Sequence, residues 1–307
     1  MTQATIVLAL LLGLLLILGG MQLLRQGLQT LAASRLRRAL LWMTGTPWRG
    51  FWSGTAATAL LQSSTALTVM AVSFVDAGLL PFTNTLALIL GSNIGTTVTT
   101  QLLAFPLHGF ALAAMLSGSL GCLFTRSRWR HLALAVLGLG LLFFGLELLQ
   151  AALAPLAGLR ALQDFLRRLG DHHFRGILAG AALAALLHSS SATTGIVMLL
   201  TEEGWLTLPT ALAFVFGANI GTCFTAVIAS LAASRAAQRT ALFHVLLNVF
   251  GVVLFYPLLV PLSAGIAWLG GSLARQVANA HTFFNVASSL LAYPLLPWAA
   301  KLLGKLR

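Results

Sequence analysis

The chain has 307 residues, of which 58% are hydrophobic and 8% charged, with a mean hydropathy of +0.93; soluble domains carry about 45–50% apolar and about 25% charged residues. That balance excludes a soluble globular domain and points to an integral membrane protein. The formal net charge of +12 does not indicate nucleic-acid binding, because the basic residues lie between apolar windows, as in RLRR at 35–38 and RSRWR at 126–130, the positive-inside pattern of membrane proteins.

The first apolar window, 4–24, lacks a basic leading region. Its apolar run exceeds the ~7–15 residues of a signal-peptide core, so it reads as a first crossing and not as a cleaved leader. After a basic linker comes WRGFWSGTAATALLQSSTALT from residue 48, where Gln62, Ser63, Ser64 and Thr65 stand side by side in a stretch with no charge between Gly50 and Val75. Windows 83–105 and 107–125 follow, the first carrying GSNIGTT at 91–97. Beyond RSRWR the order recurs: window 132–146, a linker, FRGILAGAALAALLHSSSATT from residue 174 with His188, Ser189, Ser190 and Ser191, and window 207–231 carrying GANIGTC at 217–223. Windows 240–262 and 277–298 and a basic tail at 301–307 complete the chain. Most windows approach the ~20 residues needed to cross a bilayer, which predicts about seven crossings. Cys122 and Cys223 lie in apolar runs and form no motif, so a structural role is expected.

The recurrence is a duplication. A shift of 126 residues holds without a gap from Arg49 to Thr97, pairing Ser63 with Ser189, Ser64 with Ser190 and Gly91 with Gly217. A shift of 125 aligns the preceding windows, Gly13 with Gly138 and Gly20 with Gly145. The expected organisation is a first repeat over 1–131, a second over 132–262, and a C-terminal transmembrane helix with a basic tail over 263–307.

The tetrad segments decide the topology. If each crosses once, the halves are parallel; if each enters and turns back, they are inverted. The Lys and Arg distribution fits both arrangements. In one continuous helix Gln62 to Thr65 would point around most of the circumference, and polar groups left without partners cost up to several kcal/mol. A hairpin lets them share a protein-lined cavity. The expected fold is therefore an all-α integral membrane protein of two inverted-topology repeats, each with a re-entrant helical hairpin and a broken transmembrane helix. The charges at 25–49, 126–130 and 301–307 suggest the N-terminus outside and the C-terminus inside.

A helix start offers free N–H groups and about half a positive charge. With hydroxyls and an amide or imidazole around it, each tetrad reads as an anion site: Gln62, Ser63, Ser64 and Thr65 in one half, His188, Ser189, Ser190 and Ser191 in the other. In GSNIGTT and GANIGTC, two glycines four apart are expected to let the backbone leave helical geometry. Freed carbonyls would then join Asn93, Thr96, Thr97, Asn219 and Thr222, with Ser64 and Ser190 shared, as oxygen ligands for a hard cation such as sodium. Thr99, Thr100 and Thr225 add hydroxyls. The plain alternative is that Ser, Gly and Thr let helices approach closely; two unlike motifs recurring at one register favour the binding reading.

On these motifs the chain resembles the sodium-dependent phosphate cotransporter family, the animal type II carriers and their bacterial relatives. QSST, HSSS and the two N-I-G-T motifs look like its signature, over about residues 10–290. The resemblance implies a Q-S-S-S-type motif in each of two inverted repeats that contributes to phosphate and sodium sites. It also implies sodium as a co-substrate with no cofactor, and a multi-pass protein of the cell membrane, in a bacterium the inner membrane. RTALFHVLLNVFG at 239 and ANAHTFFNVASSLL at 278 look like the family's later helices. On their own residues, His244 with Asn248 and His281 with Asn285 are one turn apart and read as polar ties between helices. Departures from the pattern are Thr at position 65 and His at position 188, where Gln would be expected; the latter brings a titratable type of side chain to the site. Some relatives carry a PhoU-like domain after the transport part; here the chain stops at Arg307, so such a regulator is expected as a separate partner.

The leading expectation is a secondary transporter that moves inorganic phosphate with sodium. No Arg or Lys lies within the motifs, so co-bound cations, helix N-termini and hydroxyls are expected to neutralise the anion in a site of low dielectric. A phosphate exporter or anion channel on the same site is the alternative. A membrane-embedded lipid-phosphate phosphatase is disfavoured, because His188 beside Ser189 has no intramembrane Arg or Glu in reach in the sequence to support catalysis.

Overall fold

The structure, a computed structural model, describes residues 2–43, 45–105, 109–158, 164, 168, 172–231 and 233–305, with side chains described for the same residues except 32–43, 157 and 158. Among them the chain is all helical and has no strand, which lets each segment satisfy its own backbone groups in hydrocarbon. The first half holds α1 (Gln3–Met43), α2 (Pro47–Leu61), α3 (Ser64–Asp76), α4 (Phe82–Leu103) and α5 (Phe110–Phe124). Then come α6 (Arg128–Leu153), α7 (His173–Leu187), α8 (Ser190–Glu202), α9 (Leu208–Ser230) and α10 (Arg235–Phe255), followed by α11 (Leu259–Trp268), α12 (Leu273–Ala292) and α13 (Leu296–Gly304).

Among the described residues, six stretches are long and apolar enough to cross a membrane: Gln3–Leu31, Phe82–Leu103, Arg128–Leu156, Leu208–Ser230, Arg235–Trp268 and Leu273–Gly304. The last two run through short turns at Tyr256–Leu258 and Tyr293–Leu295, each built on a Tyr-Pro-Leu sequence. The expected seventh crossing, from window 107–125, is α5, which has only 15 residues. At 1.5 Å per residue it spans about 22 Å, short of a hydrocarbon core about 30 Å thick.

α1 and α6, mates in the 125-residue register, pack antiparallel. Gly13 faces Gly145 and Leu149, Gly20 faces Gly138 and Leu142, and Gly27 faces His131 and Ala135. α2 instead lies parallel to α4: Gly50 faces Asn84, Gly54 faces Leu88, and Gly95 faces Thr55 and Ala59. α7 and α9 repeat that arrangement, with Gly180 on Phe214 and Gly221 on Ala181. Because α2 ends level with Thr99 of α4 and α4 begins level with Gly50, α3 must run back between them. The chain therefore reverses at the tetrad, and by the same geometry α8 reverses after α7.

The expected break at the N-I-G-T motifs is not there. α4 and α9 pass through Gly91, Gly95, Gly217 and Gly221 without interruption, so no backbone carbonyls are freed. These glycines serve close approach. A Cβ on Gly91 would lie 1.8 Å from the carbonyl oxygen of Phe51, and one on Gly217 would lie 1.9 Å from that of Ile177.

Candidate functional site

The helical chain breaks at the tetrads instead. Gln62 ends α2 in the left-handed region at φ 53°, ψ 28°, and His188 ends α7 at φ 50°, ψ 32°. Non-glycine residues seldom take this conformation, and here it falls at the same register position twice. The next residue is extended and caps the following helix: Ser63 Oγ accepts from the Ala66 amide (3.1 Å) and Ser189 Oγ from the Ala192 amide (3.2 Å). The first amides of α3 and α8, those of Ser64, Thr65, Ser190 and Ser191, have no acceptor within their own helix. Each left-handed residue is held by a threonine of the neighbouring long helix. Thr99 Oγ1 donates to Gln62 Oε1 (2.6 Å), and His188 Nδ1 pairs with Thr225 Oγ1 (3.2 Å).

Both turns open onto one cavity, lined by Gln62, Ser63, Ser64, Thr65 and Thr96 from the first half and His188, Ser189, Ser190, Ser191 and Thr222 from the second. Its remaining lining residue is Arg25 of α1. The guanidinium joins the halves: Nε donates to the Gln62 carbonyl (3.0 Å) and Nη2 to Ser189 Oγ (3.2 Å). The cavity thus brings two helix starts, several hydroxyls and one fixed positive charge together, while most of its lining is buried. The cavity is narrow, with room for little more than one water.

Asn93, Asn219 and Thr97 do not line that cavity; each Asn meets a histidine from the last third of the chain. His244 Nε2 of α10 donates to Asn93 Oδ1 (3.2 Å), and Asn93 Nδ2 donates to Asn248 Oδ1 (3.3 Å). His281 Nε2 of α12 contacts Asn219 Oδ1 (3.3 Å), while Asn219 Nδ2 is buried without a partner among the described residues. Thr100 has one hydroxyl proton but two acceptors in reach, Thr97 O (2.8 Å) and His281 Nδ1 (2.9 Å). Turning the Asn219 amide over removes the competition at Thr100. Nδ1–H of His281 then donates to Thr100, Nδ2–H of Asn219 donates to His281 Nε2, and Asn219 Oδ1 becomes the buried oxygen without a donor. The Thr96, Thr97 and Thr222 hydroxyls donate to their own helices, leaving oxygen lone pairs as acceptors. His244 and His281 thus tie α10 to α4 and α12 to α9. Buried Cys223 takes a hydrogen bond from Asn248 Nδ2 (3.3 Å).

Two features escape a reading of the motifs. Arg25 lies 37 residues before Gln62, and only the packing of α1 against the turns brings it in; the signal was a lone Arg inside an apolar run. α10 and α12 also form a pair, 37 residues apart in register: His244 with His281, Asn248 with Asn285, and Tyr256-Pro257-Leu258 with Tyr293-Pro294-Leu295.

The model of the Na+/Pi-cotransporter family matches residues 16–151 and again 148–257. YqeW of Bacillus subtilis, itself uncharacterized, is 37% identical over 278 residues, 91% of each chain. YjbB of Escherichia coli, provisionally named an inorganic phosphate export protein, is 30% identical over 282 residues, 92% of this chain and 52% of YjbB. The "Sodium-dependent phosphate transport protein 2A" of Ovis aries is 32% identical over 125 residues, 39% of this chain and 19% of that protein. The chain thus spans about half the length of YjbB. No solved structure matches.

Proposed function

Because the chain belongs to the Na+/Pi-cotransporter family, a family of multi-pass membrane transporters, we propose that it is a secondary carrier that moves inorganic phosphate through the cavity between its two tetrads, with sodium as the coupling ion. The observation that carries this reading is the meeting of both serine-rich helix starts with Arg25 in one buried cavity. Such a place suits a tetrahedral oxyanion, which takes hydrogen bonds from amides and hydroxyls and is favoured at helix N-termini. Gln62, Ser63, Ser64 and Thr65 hold phosphate from one side, and His188, Ser189, Ser190 and Ser191 from the other.

Sodium takes hydroxyl and amide oxygens. Thr96, Thr222, Ser64 and Ser190 supply them at the cavity, and Asn93, Thr97 and Asn219 from the layer behind it. Of the two Asn side chains Asn219 is the better placed, since its oxygen is left without a donor once the amide is turned. Phosphate and sodium bound side by side stabilise one another in a medium of low dielectric, and their affinities couple reciprocally.

In the membrane, the reversal at each tetrad is a re-entrant hairpin and the halves have inverted topology. Support comes from α1 and α6, which are register mates yet run antiparallel. The repeats are 1–131 and 132–262, and α12 of the 263–307 segment completes the core by mirroring α10.

Release of phosphate from the cell is the second reading. It is favoured by YjbB, the export-named relative that matches most of this chain, whereas the sodium-dependent animal protein matches less than half. In proteoliposomes, at a pH where the phosphate dianion predominates, an inward sodium gradient should drive uptake of labelled phosphate, and choline in place of sodium should abolish it. Equal fluxes in sodium and choline would refute coupling, while net efflux sustained under an inward sodium gradient would establish the export reading.

A further inference from the structure

The cavity repeats its parts in pairs except for its charge. Tetrad faces tetrad and Thr96 is matched by Thr222, but Arg25 is the one Arg or Lys side chain among the lining residues. Its mate in the 125-residue register is Gln150, which donates to Glu203 Oε1 (2.6 Å) and does not line the cavity. A twofold site would hold two cations or none; this one holds one.

The position of that charge is set by the site itself. Arg25 is half-buried, and two of its five N–H donors engage the carbonyl of one left-handed residue and the capping hydroxyl of the other turn. A guanidinium stays protonated in proteins, so the cavity has one compensating charge for an anion before any co-ion enters. Phosphate monoanion needs one such charge and the dianion two.

We propose that Arg25 stands in for one coupling cation. Monoanionic phosphate binds without sodium, the dianion with one sodium, and removal of the Arg25 charge adds one sodium to each. This rests on the phosphate reading of the cavity given above. It makes Arg25 the residue that sets ion stoichiometry, and the first half the source of the fixed charge.

The test is labelled-phosphate binding to the purified full chain in detergent, over a series of sodium concentrations with choline holding ionic strength constant. The slope of log apparent affinity against log sodium, below saturation, counts the sodium ions taken up with each phosphate by linkage. At a pH where the dianion predominates, Arg25→Gln, the residue of the other half, should weaken binding about tenfold or more at low sodium. It should also raise the slope by about one, so that the two proteins converge at high sodium. Arg25→Lys should keep the parent slope. Weaker binding of Arg25→Gln at every sodium concentration with an unchanged slope would make Arg25 a strut between the halves and overturn the proposal. A second measurement needs no variant: below the second ionisation of phosphate, the parent protein should bind it in choline alone. Sodium-dependent binding there with none in choline would overturn the proposal while leaving the carrier reading intact. Absence of phosphate binding in the parent at any sodium concentration would sink both.

Discussion

The turn at Gln62–Ser63 and the turn at His188–Ser189 have nearly the same backbone, with φ of 53° and 50° at the left-handed residue, and different surroundings. In the first half, Gln62 is buried and its carbonyl takes a hydrogen bond from Arg25. In the second, His188 is exposed and the register mate of Arg25 is tied up with Glu203. Behind the turns, both amide groups of Asn93 are bonded, whereas Asn219 has one that is not. Where backbone meets backbone the halves agree, because a single added carbon would collide. Where side chains face the cavity, Ser63, Ser64 and Thr96 keep identical mates, and the halves diverge at Arg25, Gln62 and Thr65, where charge can be set without disturbing the frame.

The largest test of that division bears on the frame. Gly91→Ala and Gly217→Ala should each prevent accumulation of folded protein, since the added carbon meets the Phe51 or Ile177 carbonyl. Gly19→Ala, with nothing within 4 Å of the new carbon, should be tolerated. Size-exclusion profiles and thermal unfolding of the three variants would show it, and survival of only one frame variant would break the equivalence of the halves.

Ser64→Ala and Ser190→Ala should each weaken phosphate binding by about 1.5–3 kcal/mol, the loss of a hydroxyl donor to a charged group, or about 10- to 150-fold. Equal losses in a binding titration mean that both helix starts grip the anion; a loss confined to Ser64 would place the substrate on the Arg25 side.

A smaller effect should separate the asparagines. Asn93→Ala strips His244 and Asn248 of a partner and should cost about 1–3 kcal/mol of stability in thermal unfolding. Asn219→Ala should mainly raise the sodium concentration needed for half-maximal phosphate binding. Identical behaviour of the two would erase this difference between the halves.

The smallest change should come from His188→Gln, which gives the second turn the residue of the first and keeps a partner for Thr225. Transport should remain within about a factor of two of the parent. Loss of transport would mean that the imidazole itself is required.

Much of this was legible in the sequence. The doubled register and the QSST and HSSS tetrads mark both turns, and the Ser that caps each helix is the residue type that caps require. The N-I-G-T glycines misled because a glycine that breaks a helix and a glycine that lets two helices touch look alike in one dimension; only the partner helix, α2 or α7, distinguishes them. Arg25 was hidden for a related reason. The motifs hold no Arg or Lys, and the guanidinium comes from a helix that contributes no motif.

Across the α1–α6 seam Gly13 meets Gly145 and Gly20 meets Gly138, so each contact is returned by its register mate. Reciprocity of this kind defines an isologous interface between two copies of one subunit, except that both surfaces here belong to a single polypeptide. In a homodimer every residue appears twice, and a substitution on one side is imposed on the other. Fusion lifts that constraint: Arg25 can stand on one side of the axis and Gln150 on the other, and a cavity with a single fixed cation becomes available to a covalently joined pair that no symmetric dimer could form.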